Sequence, residues 1–429
     1  MKRGLRLTLL WGAAVFVVLA GLLAFAWLKL VPGDAELTER IRAQAEARLG
    51  VEVRLSSAHL QFWPQAELVI EDAATVQPQP IRIKRLVAQA RLPALLRGHV
   101  ELEDVSIDGA VLPQLSLRGL HLRPATQQAQ GATVQVEQVH FRDLVWITRH
   151  GISLEFEGSA TFGPDWDLRE AQVARPGVRP ATRIALTPEG DRRWKVNLQL
   201  GGGSADGEVA LKDGKDGALL LTGQLVPRNV DVAAALASFK RHAAVHGKAS
   251  GRTELSAAGN NIGDLARSLH TRTTFSVASA SLQHIDVAKA IRSFGQDRAG
   301  QTPLQSLTGQ MDTQNTADGM VVRYTGLQAQ GDGFSAKGEA TIANRQVQGE
   351  VTVDLVGGLI GVPLKISGPL VHPQVTVPAS AAAGATAGAV IGTAVLPGIG
   401  TAIGAGIGAT LGKLFGGGSG DAKRPTPAR

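Results

Sequence analysis

Few residues of this chain combine type and spacing in a way that does chemistry. His242 and His246 stand four apart beside Lys240 and Arg241, and on a helix that spacing sets two imidazoles on one face, as a two-histidine zinc site requires. No third donor follows nearby, so the pair reads more simply as a solvated polar patch after a helix, and a hydrolase built on it is the weakest of three functional classes. Gly201-Gly202-Gly203-Ser204 lacks the lysine and hydroxyl of a phosphate-binding loop and does not make a nucleophile elbow; it reads as a turn. Asp and Glu fall on the wet positions of alternating segments, where solvation accounts for them. With no cysteine in the chain, disulfides, thiolate metal sites and cysteine nucleophiles are excluded. The net charge of +7 is spread along the chain, with clusters at Lys2, Arg3 and Arg6 and at Lys423, Arg424 and Arg429. Neither cluster is interleaved with stacking aromatics, so no nucleic acid is expected as a partner. The expectation is a protein that is not an enzyme, with no catalytic residues, no metal and no cofactor.

One regular spacing remains. Gly384, Gly388 and Gly392 recur every fourth residue, Pro397-Gly398 breaks the run, and Gly400, Gly404, Gly408 and Gly412 resume it. Glycine at that interval carves a flat groove along a helix, into which a second helix presses its backbone. The spacing predicts a glycine-zipper helical hairpin over residues 379–415 that engages a membrane or a partner, with a flexible low-complexity tail as the rival reading. A disordered basic tail follows over 416–429.

The elements that frame this hairpin are of two kinds. Leu7 to Leu28 is a run of 22 residues without a charge, long enough as a helix (~33 Å) to cross a bilayer core. Basic residues before it place the N-terminus in the cytoplasm and the remainder across the membrane. A cleaved signal peptide is the alternative, with Ala24-Phe25-Ala26 as its cleavage triplet; the apolar surface continues past that triplet through Trp27, Leu28, Leu30 and Val31, which favours a retained anchor over residues 1–33. Pro32-Gly33-Asp34 then opens a short amphipathic helix with Asp34 as N-cap, Leu37, Ile41, Ala45 and Leu49 on one face, and Gly50 as its stop.

From Val51 onward the pattern is strand. Segments such as Val51 to Leu55, Val100 to Glu103, Ile152 to Phe156 and Val351 to Leu355 alternate apolar and polar residues, which puts their apolar side chains on one side of a sheet. Gln65 to Glu71, Ile81 to Leu92, Val100 to Ala110, Leu115 to Leu122, Thr133 to Val145 and Ile152 to Phe162 read as a meander. The phase slips after Ile83 and after Leu102, by a bulge or turn in one strand or because two strands lie there. In the second half, Val230-Asp231-Val232 to Phe239 is echoed by Ile285-Asp286-Val287 to Phe294, each copy an Asp-capped helix, and a further short helix is expected over Gly263 to His270. The fold class is mainly β: a transmembrane helix, an elongated curled antiparallel sheet in two modules (34–225 and 226–378) with a few short helices, and the glycine hairpin. Those helices are too few to roof the apolar face, so its side chains must meet each other, a partner or a ligand. Val53, Leu55, Leu68, Ile70, Val100, Leu102, Leu154, Phe156, Val351, Val353 and Leu355 are the expected lining of a groove for acyl chains.

The chain resembles the AsmA family of bacterial envelope proteins. Its opening module carries Gly50-Val51-Glu52-Val53, Leu60-Gln61-Phe62-Trp63-Pro64, Leu68-Val69-Ile70-Glu71-Asp72, Leu95-Leu96-Arg97-Gly98 and Val100 to Leu112. The closing module carries Thr302-Pro303-Leu304 to Gly309, Asp318-Gly319, Gly326-Leu327, Gly331 to Gly338 and Pro363-Leu364-Lys365-Ile366-Ser367-Gly368-Pro369 before Pro373. Where the family usually has Thr-Gly-Arg this chain has Leu49-Gly50-Val51, and its middle is shorter than in the large members, which leaves the subfamily open. The resemblance implies a chorein-like trough anchored in the bacterial inner membrane, with the bulk of the chain in the periplasm. It implies phospholipid or other acyl-chain lipids as cargo, lipid transport or outer-membrane biogenesis as function, and the outer membrane or envelope proteins as candidate partners. The alternative is a non-transporting structural or assembly factor of the envelope.

Overall fold

The computed structural model describes residues 33–61, 63, 65–91, 101–118, 120, 135–163, 167–214, 217–260, 262–293, 296–297, 299–316, 319–355, 361–370 and 373–377. The anchor over 7–28, the glycine hairpin with Gly384, Gly388, Gly392, Gly400, Gly404, Gly408 and Gly412, the basic tail and Val100 lie outside these. Among the described residues no helix is long and apolar enough to cross a membrane. The protein is mainly β, with large antiparallel sheets and a few short helices. Its residues divide into two units: one runs to Val226 and takes in 234–241 and 254–269, the other holds 227–233, 242–253 and the chain from His270.

The first unit opens with helix α1 (Asp34–Leu49). Its apolar residues recur every fourth position, and Leu37, Ile41, Ala45 and Leu49 are all buried. Gly33 is the N-cap, so Asp34 is the first helical residue rather than the cap itself; there it joins Glu36 in facing the positive end of the helix dipole. Gly50 ends the helix in the left-handed region (φ 68°), its N–H donating to Glu46 O, a conformation glycine adopts without a Cβ penalty. Two side chains fasten α1 to the next segment. Glu46 Oε1 accepts from Val53 N (3.0 Å) and Thr38 Oγ1 accepts from Ala58 N (2.9 Å).

Strands β1 (Val53–Arg54) and β2 (Ser57–Gln61) lie end to end along β3 (Ala66–Thr75), which pairs with β4 (Arg82–Ala90), and β4 with β5 (Glu101–Pro113). The meander stops there. Residues Gln114–Arg118 form a single helical turn, α2, where alternation had suggested a strand over Leu115 to Leu122; burial of Leu117 and Leu120 satisfies the apolar positions without a ladder. The long connection returns the chain to the other end of the sheet, so β6 (Gln135–Ile147) pairs with β5 in parallel, as a connection longer than a hairpin permits. Antiparallel order resumes through β7 (Ser153–Phe162), β8 (Leu168–Ala174), β9 (Arg183–Gly190), β10 (Arg193–Leu200) and β11 (Gly203–Asp213). β12 (Leu219–Arg228) ends at the division between the units, and helix α4 (Ile262–Ser268) belongs to the first unit.

Both expected phase slips are present. After Leu102, β5 bulges opposite Gln89/Ala90. After Ile83 the step of three is shared: Ala73 pairs with Ile83 and Ile70 with Leu86, and Asp72 on β3, Gly109 on β5 and Asp143 on β6 all take positive φ.

In the second unit β13 (Val230–Asp231) pairs with the start of β14 (Val245–Gly259), whose residues from Glu254 onward belong to the first unit. β15 (His270–Leu282), β16 (Thr302–Thr316), β17 (Gly319–Gly331), β18 (Phe334–Ala343), β19 (Gln346–Leu355), β20 (Val362–Pro369) and β21 (Gln374–Thr376) form an antiparallel succession. The two copies of the internal repeat become α3 (Val232–Ala237), which spans the division, and α5 (Val287–Arg292). Asp286 caps α5 by accepting from Lys289 N (2.9 Å).

Ile41→Ala removes a fully buried side chain from the joint between α1 and the sheet and is expected to cost about 2–5 kcal/mol. Leu115→Ala, at a position 47% exposed, should be nearly neutral. Denaturant midpoints of the full-length variants in detergent, followed by circular dichroism, compare the two.

Candidate functional site

The candidate site is an apolar face, and strand register builds it. In the first unit Ala58, Ile70, Leu86 and Ile107 stand side by side on β2 to β5. The row continues through Phe141, Gly158 and Val173 on β6 to β8, then Ile184, Leu198 and Ala205 on β9 to β11. Ten strands thus contribute to one unbroken apolar line. Burial changes along it: the first four side chains are buried in a cluster with Leu37, Ile41, Ala45 and Leu49 of α1, Phe141, Val173, Ile184 and Leu198 remain partly exposed, and Ala205 at the far end is buried again. Helix α1 is ~24 Å long, and its principal contacts are with β1 and β2.

Helix α1 thus closes one end of the face without roofing its length, and this corrects four of the expected lining residues. Val53, Leu68, Ile70 and Leu102 are interior packing in the α1 cluster, out of reach of a ligand. Leu55 packs on the edge of the same cluster and is partly exposed. Leu154 is buried and Phe156 partly exposed on β7.

In the second unit the register sets Val277, Leu307, Ala329, Ala336, Val353 and Val362 in one row across β15 to β20. A parallel row contains Phe275, Gly309, Leu327, Gly338, Val351 and Leu364. Small residues sit beside large ones: a Cβ on Gly309 would lie 2.8 Å from Leu327 Cδ2, and one on Gly338 would lie 2.3 Å from Glu350 O. Phe275 meets Tyr324 edge to face, with ring centroids 6.2 Å apart. Val353 is fully buried, while Val351, Leu327, Leu307 and Tyr324 are partly exposed. The principal neighbours of β16 to β19 are the adjoining strands. Leu355 pairs with Phe334 through its backbone; its side chain lies outside the described residues.

Sequence reasoning missed one cation on the apolar side. Arg175, just past β8, is only 7% exposed, and its guanidinium lies over the rings of Phe156 (5.4 Å) and Phe239 (5.8 Å). Its Nε donates to Glu155 O (2.9 Å), and a second guanidinium nitrogen donates to Ser238 O. Burial lowers its pKa from the ordinary arginine value, opposed by the nearby Glu155. No spacing in the sequence joins residues so far apart.

Among the described residues the polar side carries no assembled nucleophile. His140 Nε2 lies 3.3 Å from Asp104 Oδ1, but Ser106 Oγ gives its proton to Asp104 Oδ2 (2.8 Å) rather than to a base. His242 is exposed in a loop and His246 is exposed on β14, so the two do not share a helix face. Among the described residues no cluster of His, Asp or Glu is arranged to hold a metal ion. Comparison with protein-family models, with curated proteins and with solved structures gives no match to this chain.

Tyr324 is the chain's single tyrosine, and burial raises its pKa above 10.0. The folded state favours the neutral phenol, so this contribution to stability is intact below pH 10 and lost as pH rises through the raised folded value. Absorbance titration at 295 nm should show one phenol ionising above pH 10 in the folded chain and near 10 in urea.

Proposed function

We propose that this chain is an AsmA-like lipid-handling protein, held in the inner membrane by Leu7 to Leu28, in which the apolar rows line a curled trough for phospholipid acyl chains. The observation that carries the proposal is the apolar row across β2 to β11, sealed by α1 at one end and partly exposed beyond it. At ~25 cal/mol per Å² of apolar surface removed from water, exposed rows of Leu, Ile, Val and Phe have a large free-energy incentive to acquire a cover. An acyl chain suits a strip of this kind because it is as apolar as the side chains and needs no directional partner. Recognition by burial alone leaves headgroup selectivity weak. In this reading the glycine hairpin over 379–415 supplies a second membrane or partner contact.

A structural or assembly factor is the second reading, in which the same rows dock an envelope protein. It is favoured by the tight α1 cluster, which shows that part of the face is already satisfied without lipid.

Native mass spectrometry of the full-length protein released from mild detergent separates the two. A carrier should retain phospholipid; Val351→Asp should remove most of it while circular dichroism is unchanged, and Thr352→Asp, on the opposite face, should not. Protein that arrives without phospholipid in every form would overturn the carrier reading. Val353 is unsuited to this test, because a carboxylate at a fully buried position would unfold its surroundings.

A further inference from the structure

We propose that Trp63 seats in the headgroup layer of the bilayer that holds Leu7 to Leu28, giving the first unit a second point of attachment and fixing which end of it faces the membrane. The proposal rests on reading Leu7 to Leu28 as a span. Trp63 is 84% exposed, well beyond the next large apolar side chain, Met320, at 57%. It occupies the turn between β2 and β3, where Gln61 Nε2 donates to its carbonyl (2.9 Å). Single exposed apolar residues are ordinary on protein surfaces. What distinguishes Trp63 is the end of the unit on which it stands.

The direction follows from two hydrogen-bonded contacts. Glu46, late in α1, binds Val53, and Thr38, early in α1, binds Ala58. Because β1 and β2 run in one direction along β3, α1 runs opposite to them. Its N-terminus and the β2–β3 turn therefore share one end of the unit. From Thr38 back to Asp34 the helix rises ~6 Å, and from Ala58 to Gln61, where β2 ends, the strand advances ~10 Å, so the turn that carries Trp63 lies past the start of α1. The six steps from Leu28 to Asp34 span at most ~20 Å. A linker of that reach lets the β2–β3 turn, on the same end of the unit as the start of α1, meet the interfacial layer. Indole, with an apolar body and one N–H donor, concentrates at that depth. The opposite turn, between β3 and β4, lies ~30 Å away along β3.

The chain has no cysteine, so a single one can report position. Gln65→Cys and Gln79→Cys, both at exposed sites at opposite ends of β3, are labelled with nitrobenzoxadiazole in the full-length protein and reconstituted into phosphatidylcholine vesicles with or without bromination near the top of the acyl chain. Label at 65 should lose most of its emission in brominated vesicles, label at 79 should not, and adding Trp63→Ser should restore emission at 65. If the protein floats with the vesicles but label 65 is unquenched, the docking of Trp63 is wrong while the anchor stands. Quenching that survives Trp63→Ser also overturns it, since the tether alone would then hold the turn at the surface. Protein that fails to float overturns both readings.

Discussion

Alternation is the constraint from which the rest of this protein follows. A strand that places every second side chain in water leaves the remainder on one apolar face, and that face must be covered. Where α1 lies on the sheet the requirement is met internally: Leu37, Ile41, Ala45 and Leu49 close over Ala58, Leu68 and Ile70, and every member of the cluster is buried. The hydrogen bonds from Val53 and Ala58 to Glu46 and Thr38 orient the helix but add little beside that burial. Away from α1 the same rows continue at lower burial, and the change from sealed to partly open surface is what a functional account has to explain.

Size matching holds the rows in register. Phe141 fits over Gly158, where a Cβ would come within 2.7 Å of the ring, and Gly309 leaves room for Leu327. A slip of one residue would set Phe141 opposite Glu157 or Ser159 instead of Gly158 and turn polar residues to the apolar side. The positive-φ positions Asp72, Gly109 and Asp143 serve the same end. They let β3, β5 and β6 change phase at one level, with β4 between the first two, so the apolar rows remain aligned through the step.

Arg175 shows how the apolar side accommodates a charge. With two carbonyls as acceptors and two rings as neighbours, its guanidinium is satisfied by dipoles and π faces rather than by a salt bridge. In the same contact the end of β8 is fastened to residues 238–239. A lysine there could make the point-charge contact but would lack the planar fork that reaches both carbonyls.

The strands and their apolar faces were legible in the sequence because period-two alternation is a local property: Leu68 and Ile70, or Val351 and Val353, announce their common side without reference to anything distant. So were the face of α1 and its stop at Gly50, which depend on spacing and on one backbone conformation. The burial of Val53, Leu68, Ile70 and Leu102 in one cluster with α1 was not legible, since which part of a sheet is covered depends on contacts between segments. The same reason accounts for the parallel pairing of β5 with β6, the helical turn at Gln114–Arg118 and the cage around Arg175, each settled by where distant residues meet. Sequence by itself determined which side chains share a face; only tertiary packing decided which of them are sealed and which stay partly open, because burial is a property of neighbours and not of periodicity.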